Sequence, residues 1–173
     1  MESRGILFVL AILASLFATT TSAQESIVIV KAEDLARCDA RQLDALFASG
    51  YVSGVPVGRF WGMPLVNPGT PGAVQASLGG RFVWSGKRID SESLTAVNRF
   101  FGLPMIRADA RIEPSLRDGA PAIVLDYTSK SFLFRNVRDE IRELRPGLYL
   151  GYADDVRTLE PTARSWFVME SVP

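Results

Sequence analysis

The densest run of chemically competent side chains is Arg138-Asp139-Glu140-Ile141-Arg142, a short distance downstream of Asp126-Tyr127. Phenol, carboxylate and guanidinium together can polarise a substrate and move a proton, provided that they converge within hydrogen-bond reach at one pocket. Along a strand, alternation sends Val137, Asp139 and Ile141 to one face and Arg138, Glu140 and Arg142 to the other. An inward Asp139 must be paired or hydrogen-bonded, because burying an unpaired charge costs several kcal/mol. Arg107, Arg111 and Arg135 are the nearest cations in the expected chain path. Two outcomes are open. One is a cross-strand ion-pair ladder on an outer surface. The other is a polar anchor at the floor or mouth of a closed sheet, orienting a ligand's carboxyl or hydroxyl group.

The chain contains no histidine. That removes the commonest general base, the usual zinc ligand and every Ser-His or Cys-His arrangement, and it weighs against an enzyme. A His-independent enzyme would have to draw on Tyr127, Asp139, Arg138 and Arg142. Asp154-Asp155 sits where a turn is expected, and no calcium-loop pattern is present. No metal and no cofactor is expected. Nineteen basic and nineteen acidic residues balance, so nothing in the net charge points to nucleic acid. Cys38, the single cysteine, allows no intramolecular disulfide and reads as a small buried apolar residue.

Trp61, Trp84, Trp166, Phe82, Phe100, Phe134 and Tyr149 either line a cavity or fill a solid core. Ala96, Ala108, Ala110 and Ala122 fall on the expected inward rows, and a row of alanines leaves room that large partners or a ligand must occupy. A ligand binder is expected to hold a cavity of roughly 300 Å³ or more. Gly58, Gly62, Gly86 and Gly151 read as bulges or close backbone approaches.

These residues are positioned by three regions. Residues 1–23 combine Arg4, the apolar run Gly5–Ala18 and a small-residue exit, the pattern of a secretory signal peptide and too short for a membrane span. No membrane span is expected after its cleavage. Residues 24–53 hold a short β-branched stretch, Ser26–Val30, a turn near Glu33–Ala36 and a helix at 40–49. The helix opens with the capping box Asp39-Ala40-Arg41-Gln42 and stops at Gly50. Residues 54–173 change to β punctuation, with Gly and Pro breaking every long helix. Strands are expected at Val55–Met63, Arg81–Ser85, Leu94–Phe101, Met105–Pro114, Ala120–Tyr127, Phe132–Val137, Arg138–Leu144, Leu148–Ala153 and Ser165–Glu170. In Met105–Pro114 the strict alternation places Ile106, Ala108, Ala110 and Ile112 inside and Arg107, Asp109, Arg111 and Glu113 outside. About eight short strands joined by tight turns predict a mainly β protein; an antiparallel barrel is expected over its main competitor, a two-sheet sandwich, since closure removes exposed edges.

Gly58-Arg59-Phe60-Trp61-Gly62 followed by Trp84-Ser85-Gly86-Lys87-Arg88 resembles the GXWXG-domain family of bacteria and fungi. Phe60 stands where the family signature has tryptophan. The downstream order fits as well: Asp118–Tyr127, then Arg138–Arg142, Pro146–Gly151 and the closing Trp166-Phe167-Val168. The resemblance spans most of residues 43–170 and implies a calycin-like barrel, whose relatives carry small apolar molecules.

The expected function is that of a secreted or periplasmic barrel binding a small, mainly hydrophobic ligand without catalysis. Trp61, Trp84, Phe100, Tyr127, Phe134, Arg138, Asp139, Arg142 and Tyr149 are the expected ligand-binding residues. The alternative is a structural or interaction module of the cell envelope, docking through exposed aromatics such as Trp61 or Phe167. No residue pattern specifies an oligomeric state.

Overall fold

The computed structural model describes residue 29, residues 31–157 and residues 165–172. The expected signal peptide at 1–23 and the expected stretch 26–30, apart from Ile29, lie outside the described residues. Ala32–Arg37 forms a 3₁₀ turn, and Ala40–Ser49 forms helix α1. The capping box closes as the sequence requires: Gln42 N–H donates to the Asp39 carboxylate, and the Gln42 side chain accepts from Asp39 N–H, both at 2.8 Å.

Eight strands follow: β1 Gly58–Pro64, β2 Trp84–Ile89, β3 Thr95–Phe100, β4 Leu103–Pro114, β5 Pro121–Asp126, β6 Val137–Arg145, β7 Leu148–Asp155 and β8 Ser165–Ser171. Each pairs antiparallel with the next, and β8 pairs with β1, so the sheet closes into a barrel. Three expectations are corrected. The Pro/Gly segment between β1 and β2 contains a helix, α2 at Ala73–Gly80, because it packs on the 3₁₀ turn and β1 and buries Ala73 and Ser77. Strand β2 begins at Trp84, not Arg81, since Arg81, Phe82 and Val83 complete turns out of α2. Phe132–Val137 is mostly loop, and only Val137 enters a strand, so Phe134 is carried across the barrel end.

Two cores result. Inside the barrel lie Phe60, Ile89, Ala96, Ala108, Ala110, Ile123, Leu125, Ile141 and Met169. Outside it, Leu35, Cys38, Leu43 and Phe47 from the N-terminal segment cover Met63, Leu148, Leu150, Tyr152, Trp166 and Val168. One side of the wall is therefore buried on both faces. Cys38 is fully buried there, and burial pushes its thiol pKa up.

β1 and β2 pack tightly at Gly62 and Gly86. A Cβ on Gly62 would meet Gly86 Cα and the Trp84 ring at 2.5 Å, and one on Gly86 would meet Phe60 O at 2.1 Å. The glycines of the sequence motif thus let the Trp84 ring fold across β1. Gly86, at φ +120°, also sits at a bulge where the pairing of β2 with β3 shifts.

In β4 the alternation holds at Ile106, Ala108 and Ala110, with Arg107 and Arg111 outside. Ile112 is the exception. It is 49% exposed, because the strand runs past the barrel rim before its apolar row ends. On the outer wall Arg111 pairs with Glu113 and with Asp126, the latter at 2.7 Å, and Arg138 pairs with Glu113 and Glu140 at 2.8 and 2.9 Å.

Two stability predictions follow from this wall. Ala108 is fully buried, so Ala108→Arg should cost more than about 4 kcal/mol, while exposed Arg107→Ala should shift stability by less than about 1 kcal/mol in urea melts. A tolerated Ala108→Arg would overturn the face assignment. Burial would raise the Asp126 pKa, but hydrogen bonds from Thr128 and the Arg111 guanidinium outweigh it and hold the carboxyl at about 2. A depressed carboxyl stabilises above its unfolded pKa and loses that contribution as pH falls through the folded value. Asp126→Asn should therefore flatten the loss of urea resistance between about pH 4 and pH 2. An identical acid limb in both proteins would count against the pairing.

Candidate functional site

The up-and-down topology brings Pro64, Trp84, Phe100, Ile106, Tyr127, Val137, Ala153 and Ser165 to one barrel end. There they surround a cavity of about 180 Å³. Phe134 closes over it from the β5–β6 loop, its ring 6.3 Å from Phe100 and 6.1 Å from Tyr127. The wall is mostly aromatic and aliphatic, with Trp166 and Phe167 on the β8 side.

At the base of this cavity sits a buried polar group drawn from β2, β3, β6 and the end of β5. Lys87 Nζ donates to Asp139 Oδ2 at 2.7 Å, to Asn98 Oδ1 at 2.6 Å and to the Tyr127 hydroxyl at 3.0 Å. Tyr127 in turn donates to Asp139 Oδ2 at 2.8 Å and accepts from Asn98 Nδ2 at 2.9 Å. Trp84 Nε1 donates to Asn98 Oδ1 at 2.9 Å. The Lys87 and Asp139 side chains are only 3% and 4% exposed. Desolvation pulls the Lys87 pKa down, against the pull of Asp139, and burial with the neighbouring carboxylate pushes the Tyr127 pKa well up. The rings of Trp84 and Phe167 lie 5.2 and 5.1 Å from Nζ, so their faces supply further attraction to the ammonium.

The expected site residues divide. Trp84, Phe100, Tyr127, Phe134 and Asp139 line the cavity. Trp61 does not: it points outward, half exposed, with Arg81 stacked 5.8 Å from its ring. Tyr149 points inward but fills the barrel away from the cavity against Phe60, where burial and Glu143 push its pKa up to about 12. Arg138 belongs to the outer ion-pair ladder. Arg142 is fully buried on the outer wall, where it donates to both Asp118 oxygens and to the carbonyls of Phe47, Ala120 and Pro121. Its guanidinium stacks 4.4 Å from the Phe47 ring, so it ties α1 to the barrel instead of touching a ligand. Phe167 is buried in the cavity wall and cannot form a docking patch, whereas Phe82 is outside it at 84% exposure.

Of the two outcomes open for Asp139, the inward one holds, and its partner was not legible. None of Arg107, Arg111 and Arg135 meets Asp139; Lys87 does. Simple alternation from the inward Trp84 sends Lys87 outward. The bulge before Gly86 adds a residue and inverts the parity. The signal was the glycine beside the lysine, together with the need of an inward Asp for an inward cation. Asn98, on the same row as Ala96 and Phe100, completes the group.

Tyr127 and Asp139 converge, so part of the acid–base set exists, but Arg138 and Arg142 stand on the opposite side of the wall. Among the described residues no three His, Cys, Asp or Glu side chains gather as a metal site requires, and no helix is long and apolar enough to cross a membrane.

No protein-family model matches the chain, and no curated protein does. A crystal structure of a protein from Thermomonospora curvata is similar, with a TM-score of 0.50 and 16% identity, covering 79% of this chain and 89% of that one. At that identity the likeness speaks for the fold alone.

Removing one member of a buried ion pair strands the other. Lys87→Met should therefore cost about 3–5 kcal/mol, while Lys87→Met with Asp139→Leu should recover at least half of it in a denaturant double-mutant cycle. Additive losses in the double variant would show that the two charges do not depend on each other.

Proposed function

We propose that this protein is a secreted or periplasmic β-barrel that binds a small, mainly hydrophobic ligand and performs no catalysis. The observation that carries the reading is the 180 Å³ cavity with aromatic walls at one barrel end. It is smaller than the roughly 300 Å³ expected of a binder for drug-sized molecules. A cavity of about 150 Å³ already holds benzene, so the fitting ligand is a single-ring compound and not a lipid. The satisfied bonding of Lys87 and Tyr127 supports binding over chemistry, since neither is left free to act as a nucleophile or base. The address rests on the N-terminal charge and apolar run. The Gly62–Gly86 approach and the placement of Lys87 give the GXWXG-like motif a structural purpose, which supports kinship with that family.

Native mass spectrometry of protein from its own host should show a non-covalent adduct of single-ring size. Ala153→Phe, which fills the cavity at a cost of about 1–3 kcal/mol, should abolish it, and Arg107→Ala should leave it intact. An adduct that survives Ala153→Phe would place binding elsewhere.

A second reading, an interaction module of the envelope, is favoured by the cavity's rim. Phe82, Phe101, Phe132 and Leu133 are 84, 70, 81 and 83% exposed. They are linked around the mouth, because Phe101 N–H donates to Val83 O at 2.9 Å and Phe134 meets Phe100. Phe132→Ser with Leu133→Ser should release the protein from envelope fractions under this reading and leave the adduct unchanged under the first.

A further inference from the structure

The hydrogen-bonding capacity of the buried polar group is almost entirely used within the group itself. The three protons of Lys87 Nζ go to Asn98, Tyr127 and Asp139. Asn98 Oδ1 takes two donors, from Trp84 and Lys87, and Asn98 Nδ2 serves Tyr127 and the Ile106 carbonyl. The Tyr127 hydroxyl donates once and accepts twice. Each of these groups has thereby used the capacity its chemistry allows. Asp139 differs. Lys87 and Tyr127 both bond Oδ2, and Oδ1 takes no hydrogen bond from the described residues. Nor is Oδ1 sealed off, for among the described residues the buried side-chain polar atoms without a partner are Arg99 Nε and Arg117 Nη1. Asp139, 3% exposed overall, lines the cavity.

We propose that the cavity selects a neutral single-ring molecule carrying a hydrogen-bond donor, a hydroxyl above all, which donates to Asp139 Oδ1. This rests on the cavity being the binding site and specifies its ligand. An acceptor-only head such as an aldehyde leaves Oδ1 unmet and finds no free donor at the cavity base. A carboxylate brings a second negative charge beside Asp139 in a desolvated space, where like charges repel strongly. Ser165, the other side-chain hydroxyl on the lining, stands exposed at the rim and does not reverse this preference. Sites built to bond a substrate hydroxyl reject the analogue lacking it far more sharply than an apolar pocket rejects a missing methylene.

The test is a protein-detected NMR titration of the intact protein with four probes on one ring skeleton: benzyl alcohol, benzaldehyde, benzoate and toluene. Benzyl alcohol should bind at least about tenfold tighter than benzaldehyde or toluene, and benzoate should produce no shifts at cavity residues. Because Asp139→Leu alone strands Lys87, the paired variant Lys87→Met with Asp139→Leu provides the second arm. There the alcohol should lose its advantage and toluene should keep or improve its affinity. Equal binding of alcohol, aldehyde and toluene to the unaltered protein would overturn the donor preference and leave the cavity reading standing. Benzoate binding as tightly as the alcohol would overturn it too. If none of the four probes perturbs a cavity residue, the cavity reading falls and the donor preference falls with it.

Discussion

An ammonium held inside a β-barrel obliges everything around it. Lys87 reaches the interior only because the strand bulges at Gly86, and it stays charged there only where a carboxylate, two further oxygens and aromatic faces replace the water it has lost. Asp139 on β6 and Tyr127 at the end of β5 lie across the barrel from β2, so the pair links opposite walls through the interior. Such a pair adds little net stability compared with an apolar core of similar volume. Its effect is on register. A slip of β2 or β6 by one residue would take one charge out of the barrel and leave the other buried alone. The tight packing of Gly62 on Gly86 belongs to the same device, because it lets the Trp84 ring and the Lys87 stem share the inward side.

Strand β6 shows how one charged segment serves two purposes. Asp139 faces in and meets Lys87, whereas Arg138 and Glu140 face out and join the ladder with Glu113. Arg142 also faces out, but α1 covers that part of the wall, so its charge had to be met by Asp118 and three backbone carbonyls. The N-terminal segment is thus a second layer laid against one side of the barrel. It gives Phe47 and Leu43 an apolar surface to cover and fastens α1 through the most fully bonded guanidinium of the described chain.

The cavity exists because the same end of the barrel gathers small and large residues unevenly. Ala153 leaves a gap in the wall, and the rings of Trp84, Phe100, Phe134 and Phe167 are too rigid to collapse onto one another completely. The polar group at its base cannot shrink the space either, since its members are already committed to one another. An apolar chamber with a single open carboxylate oxygen is the outcome, and its small volume limits what can enter.

Much of the architecture was legible in the sequence alone. The alternation of Ile106, Ala108 and Ala110 with Arg107, Asp109 and Arg111 admitted one register, because inverting it would bury several charges. The capping box at Asp39–Gln42 and the turn glycines marked helix and strand ends through chemistry that is local to a few residues. Local rules also set Asp139 on one face with Val137 and Ile141, and left open whether it served an inner anchor or an outer ladder. They could not say that Lys87 would meet it, for a one-residue bulge reverses parity, and only the packing of Gly86 on β1 decides that a bulge forms. Nor could they say that Arg142 lies beneath a helix or that Phe134 crosses the barrel mouth, since both depend on segments distant in sequence closing over the wall. The sequence by itself determined a mainly β protein of short antiparallel strands and the faces of β4 from Ile106 to Arg111, since period and charge fix those within a strand. The tertiary structure alone decided the cation that answers the carboxylate, and how much room the rings leave beside it.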